Sequence, residues 1–105
     1  MKRVEDLLEQ ITALQRSDLE TWIREEMITP QDENSTVLFS ESECARIRLV
    51  CTLHYDLEID LEALPTVLSL VDELYETRQQ LLSLTAAVAA QDKAIQSAIL
   101  AALKS

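Results

Sequence analysis

At 105 residues the chain is long enough for one compact domain with a modest core, and a hydrophobic content of 48% excludes disorder over most of it. Nineteen acidic against nine basic residues leave a net charge of −10, which repels nucleic-acid phosphates and anionic membranes and steers the protein toward basic partners. There is no glycine, which excludes the phosphate-cradling loops of nucleotide-binding enzymes and disfavours an all-β fold.

Residues 1–6 (MKRVED) reach acidic side chains at once and do not read as a signal peptide. No run of about 18 apolar residues is long enough to span a membrane. Cys44 and Cys51, the only cysteines, read as free structural thiols in a reducing compartment. The expectation is a cytoplasmic, mostly α protein that needs no cofactor.

In chain order, Val4, Leu7, Leu8, Ile11 and Leu14 recur at helical spacing and predict a first helix over residues 3–13. Ser17 and Glu20 read as a capping box opening a second helix, with Leu19, Trp22, Ile23 and Met27 on one face and Trp22 in the core. The short connection predicts a helix-turn-helix. Residues 27–29 and 36–39, rich in strand formers around a polar turn at 31–35, predict a two-stranded wing. Ser40 and Glu43 form a second capping box, with Phe39 and Cys44 as a hydrophobic staple. A third helix then runs to about Asp56, burying Cys44, Ile47, Val50, Cys51 and Leu57. Asp60 reads as the cap of a fourth helix, which starts near Pro65 or bends there.

From Val67 onward, Leu70, Leu74, Leu81, Leu84, Val88, Ile95, Ala98 and Ala102 form a heptad stripe. A helix of some 35 residues would be about 50 Å long and needs a partner helix, either a second subunit or its own chain folded back, for which the Ala-rich end from Thr85 to Ala102 is the candidate. With no Pro or Gly after Pro65 to make a turn, Leu70, Leu74, Leu81, Leu84 and Val88 are read as a dimerisation seam. The domain division is a head at 1–60 and a long C-terminal dimerisation helix at 61–105.

This order of helix, helix, wing, helix and long dimerising helix resembles the MerR-like winged helix-turn-helix proteins. More closely it resembles one branch, the CbpM chaperone-modulator family. The resemblance lies in residues 19–30 (LETWIREEMITP), 39–57 (FSESECARIRLVCTLHYDL) and 60–74 (DLEALPTVLSLVDEL), within roughly residues 14–82. It implies a non-enzymatic protein that binds the J-domain of a DnaJ-type co-chaperone of the CbpA kind and inhibits its stimulation of the heat-shock chaperone DnaK. An acidic competitor suits the basic helix of a J-domain. Three departures stand out. The chain starts almost inside the first helix, where the family has a short strand. Glu26 stands at or beside the place of a glycine that commonly ends the second helix. The proline of helix four is displaced to Pro65.

Candidate partner-binding residues are Glu25, Glu26, Asp56, Glu58, Asp60 and Glu62, each of which reads equally as a solvated turn or capping residue. The alternative function is a MerR-like DNA-binding regulator. Against it, residues 1–60 hold fourteen acidic and six basic residues, and the second helix offers Asp18, Glu20, Glu25 and Glu26 beside Arg24. A third reading is a coiled-coil adaptor. Cys51 and His54 lack a second pair to complete a metal site, and His54 alone makes no catalytic triad, so neither an enzyme nor a small-molecule substrate is expected.

Overall fold

The computed structural model describes residues 1–104. The order is β1 (Lys2–Arg3), α1 (Val4–Gln10), α2 (Arg16–Arg24), β2 (Gln31–Glu33), β3 (Thr36–Phe39), α3 (Glu41–Cys51), a π-turn (Thr52–Asp56), α4 (Leu64–Ala89) and α5 (Lys93–Lys104). The fold is mostly α, with a winged helix-turn-helix and a long C-terminal helix, as expected. Two compact units divide it, Met1–Leu68 and the residues from 69 onward.

The first unit holds the core. Leu7, Leu19, Trp22, Ile28, Phe39, Ile47, Val50, Leu64 and Leu68 are essentially inaccessible to solvent. α1 is shorter than its apolar period suggested. Ile11 turns extended after donating to the Leu7 carbonyl, and Leu14 reaches the core from the connection. α2 begins earlier than Ser17, with Gln15 at the cap position, so the Ser17–Glu20 box does not form. Trp22 is buried on its inner face as expected.

The sheet has three antiparallel strands in the order β1–β3–β2, one more than the expected hairpin. Leu38 of the central strand pairs with Arg3 on one side and Gln31 on the other. The short strand before α1 is therefore present. Residues 27–29 are not the first wing strand. Met27 and Ile28 sink into the core, and both donate to the Trp22 carbonyl that ends α2. The paired strand is the polar Gln31–Glu33. Its pairing follows from a two-residue hairpin at Asn34 and Ser35, whose φ values of 51° and 65° suit the right-handed strand twist.

α3 opens with the expected cap: the Glu43 N–H donates to Ser40 Oγ at 3.1 Å. The Glu43 carboxylate does not return to the cap but accepts the Thr29 N–H at 3.1 Å, and Arg46 Nε donates to the Met27 carbonyl at 2.7 Å. One turn of α3 thus fixes the exit of α2. Phe39 and Cys44 are both buried, as the staple required. Helical winding continues to Asp56, but over its last five residues it widens to a π-turn in which Leu57 N–H donates to Thr52 O. The widening turns Leu57 outward, against expectation; it is 62% exposed.

Asp60 accepts Ala63 N–H with its side chain and Leu64 N–H with its carbonyl. α4 therefore starts at Leu64, with Pro65 in the first turn, where its missing N–H has no intrahelical role. The expected uninterrupted helix to the end of the chain is divided. α4 stops at Ala89, and Asp92 caps α5 by accepting Ile95 N–H at 2.9 Å. The Gln96 side-chain amide donates to the carbonyls of Gln91 at 2.8 Å and Ala89 at 3.3 Å. Polar side chains make this corner where no Gly or Pro is available.

Candidate functional site

In a winged helix-turn-helix the outward face of α2 and the wing present themselves to a partner. On α2 the exposed side chains are Arg16, Ser17, Glu20 and Arg24, followed by Glu25 and Glu26 at its exit. Asp18 is half-buried and committed elsewhere: Tyr55 Oη donates to its carboxylate at 2.5 Å. The helix ends in a Schellman closure, with Glu26 N–H to Ile23 O and Met27 N–H to Trp22 O. Glu26 takes the left-handed conformation at φ 61°, so a glutamate does stand where glycine is favoured. The wing carries Asp32 and Glu33, both exposed on β2. Residues 25–45 contain six carboxylates and no Lys or Arg.

The other expected binding residues sit in a second connection, between the π-turn and α4. Asp56, Glu58, Asp60 and Glu62 are all exposed there. Asp60 spends one oxygen on capping. Glu58 is left-handed at φ 57°, held by Leu57 N–H to Thr52 O and Ile59 N–H to Leu53 O. That closure is one residue wider than the one at Glu26, as a π-turn requires. The six predicted carboxylates thus occupy two separate connections, Glu25 and Glu26 in one and the remaining four in the other. Asp32 and Glu33 are not among the expected binding residues, because the polar composition of residues 31–35 predicts a turn; the hairpin residues Asn34 and Ser35 are the signal for a strand there.

Behind the second connection lies an aromatic cluster. The Trp22 and His54 rings meet edge-on, with centroids 6.3 Å apart, and Tyr55 lies 5.4 Å from His54. The carbonyl of Ile59 accepts from His54 Nδ1 at 2.7 Å, which places the proton on that nitrogen. His54 therefore ties down the acidic connection. Burial and the Asp18 hydrogen bond push the Tyr55 hydroxyl up to about 12. Burial, with Asp18 and Asp56 nearby, pushes the Cys51 thiol up to about 11, so it is not an activated nucleophile. Both cysteines are free and buried. Among the described residues no three His, Cys, Asp or Glu side chains gather as a metal site, and no helix is long and apolar enough to cross a membrane.

One cavity has the opposite polarity. Arg3 and Arg16 line it together with Glu5, Ser35 and Thr36, at the junction of β1, α2 and the wing.

The family model described as MerR HTH family regulatory protein matches residues 3–86, which is most of the chain and takes in every element from α1 through nearly all of α4. The chain belongs to the MerR helix-turn-helix family. No individual curated protein and no solved structure matches it. Within the MerR frame, residues 25–45 are the exit of α2, the wing and the opening of α3, the segment whose charge is entirely acidic.

The dimerisation seam predicted on α4 is exposed at Leu70, Leu74, Leu81 and Leu84, with Val88 half-buried. Its lower half does not run straight on. Leu81, Leu84 and Val88 line an apolar groove of about 440 Å³ together with Ile99, Leu100 and Leu103 of α5.

Proposed function

We propose that this protein is a non-enzymatic modulator that binds the J-domain of a DnaJ-type co-chaperone of the CbpA kind. By occupying that domain it inhibits the stimulation of DnaK. The observation that carries the reading is the charge of residues 25–45, six carboxylates and no base, four of them on a helix exit and wing that must be cationic to hold DNA. A J-domain presents a basic helix, and an acidic surface speeds encounter with it and fixes its orientation. The resemblance of residues 19–30, 39–57 and 60–74 to CbpM proteins supplies the particular partner. In this reading the protein acts in the cytoplasm as a homodimer.

The cavity lined by Arg3 and Arg16 favours the second reading, a DNA-binding regulator of the kind the family description names. Calorimetric titration with the host's J-domain at two salt concentrations separates the two. Binding that weakens as salt rises is expected. Absence of heat at high protein concentration, together with a sequence-dependent gel shift on genomic fragments, would replace the modulator by the regulator.

A further inference from the structure

The large hydrophobic side chains of the first unit are almost all inside, and the exceptions fall in one place. Apart from Met1, those left well exposed among the described residues of Met1–Leu68 are Leu57 at 62% and Leu61 at 39%. Both stand in the connection between the π-turn and α4, among Asp56, Glu58, Asp60 and Glu62. We propose that this connection is the surface on which the basic helix of the J-domain docks, with Leu57 and Leu61 as apolar anchors and the four carboxylates as a rim that meets Lys and Arg side chains. This rests on the modulator reading above and names which of the two acidic surfaces that reading uses.

The first argument is that, of the two acidic surfaces, this one alone joins charge to exposed apolar area. From the exit of α2 through the wing, Met27, Ile28 and Phe39 are buried and Val37 and Leu38 half-buried, so that surface offers carboxylates without an anchor. Charge speeds encounter and fixes orientation, whereas burial of apolar area supplies affinity. The second is how Leu57 is held. The π-turn carries it out of the buried stripe of α3, and such widened turns occur frequently at functional sites. The connection is tied back by Leu57 N–H to Thr52 O at 3.0 Å, Ile59 N–H to Leu53 O at 2.9 Å and His54 Nδ1 to Ile59 O at 2.7 Å. Returning Leu57 to the stripe requires breaking the first of these bonds. The third is the match to one kind of occupant. No Lys or Arg lies between Arg48 and Leu68. A second copy docking face to face would set like charges together, and nucleic acid or an anionic membrane would be repelled in the same way. Along the chain Leu57 and Leu61 lie at most about 14 Å apart. That is the length of about nine helical residues, so under three turns of one amphipathic helix reach both while its basic flanks meet the carboxylates.

The test measures association and dissociation rates of the full chain with the J-domain at two salt concentrations, alongside urea unfolding of each variant. Leu57→Ala is expected to weaken binding about tenfold, and Leu57→Ala with Leu61→Ala about a hundredfold. Both losses are expected in the dissociation rate and to the same extent at either salt concentration. The urea midpoint of Leu57→Ala is expected to equal that of wild type, because this side chain is already exposed. Leu61 is the less exposed of the two, so the single variant decides if the double variant lowers the midpoint. Glu25→Gln with Asp32→Asn is expected to leave the dissociation rate unchanged. Wild-type dissociation rates in both leucine variants would overturn this surface and leave the modulator reading standing. So would a raised dissociation rate confined to Glu25→Gln with Asp32→Asn, which would move the partner to the wing. Absence of J-domain binding by wild type would overturn the modulator reading itself and this surface with it.

Discussion

The Tyr55 hydroxyl donates to the Asp18 carboxylate at 2.5 Å and accepts the Gln15 N–H at 3.2 Å, so one side chain on the π-turn closes the otherwise uncapped start of α2. A hydrogen bond to a charged group contributes about 1.5–3 kcal/mol. Tyr55→Phe is expected to lower the stability of the first unit by about 1.5 kcal/mol, read from urea unfolding. Asp18→Asn, which keeps an acceptor, is expected to lower it less. Equal midpoints for wild type and Tyr55→Phe would show that the contact contributes nothing.

The same contact sets an alkaline limit. Folding raises Tyr55 from 10 to about 12 and Cys51 from 9 to about 11. Both groups hold their protons more tightly when folded. Their contribution is therefore complete below about pH 9 and is lost as pH rises through 11 and 12. The urea midpoint is expected to fall steadily above pH 9, and Tyr55→Phe with Cys51→Ala to flatten that fall. A slope identical in the double variant would assign the alkaline loss to other groups.

Glu26 holds a left-handed conformation in which its Cβ is crowded by the backbone. Glu26→Gly is expected to stabilise the first unit by about 0.5–1 kcal/mol, the relief of strain exceeding the entropy glycine adds to the unfolded chain. Glu26→Gln removes the charge but keeps the crowding, and no gain is expected. Thermal unfolding of the three proteins decides it.

Asp92 caps α5 in place of the missing glycine or proline. Asp92→Ala is expected to weaken the start of α5 by about 1 kcal/mol. Hydrogen exchange would then quicken through α5 while α1–α3 stay protected. Unchanged exchange in α5 would mean that Gln96 alone holds the corner.

Under the proposed function, the two acidic connections are expected to make separable contributions to J-domain binding. Glu58→Gln with Glu62→Gln removes two of the four carboxylates of one and leaves the Asp60 cap in place; Glu25→Gln with Asp32→Asn removes one of two from the other and one of two from the wing. Whichever connection faces the J-domain is expected to slow association about tenfold at low salt, with the difference shrinking as salt rises. Two silent pairs would remove electrostatic steering from the proposed mechanism.

Much of the fold was legible because local signals agreed with packing. The Ser40 cap, the Phe39–Cys44 staple, the Trp22 face and the Asp60 cap each combine a backbone need with an apolar neighbour, and each is found. The failures share a cause as well. Met27 and Ile28 have strand propensity, but the core beneath α2 claims them. Gln31–Glu33 has almost none, yet the Asn34–Ser35 hairpin lays it against β3. Lys2 and Arg3 are two residues, too few to show a period, and pair only because β3 has a free edge. At the end of α4 the heptad continued through the corner, since periodicity records which side chains are apolar and is blind to an Asp that stops the winding. For the site, the acidic connections were visible as charge. Their separation was not, because it depends on where α2 and the π-turn end.

The two left-handed glutamates have one more consequence. At Glu26 and Glu58 the closing hydrogen bonds fix the backbone on both sides of the residue, so neither peptide is free to wander as it would be in an ordinary surface loop. A docking protein that meets these carboxylates finds much of their ordering already done by the fold itself, and less of its binding free energy is absorbed in immobilising them. A chain without glycine thus presents its acidic turns preorganised.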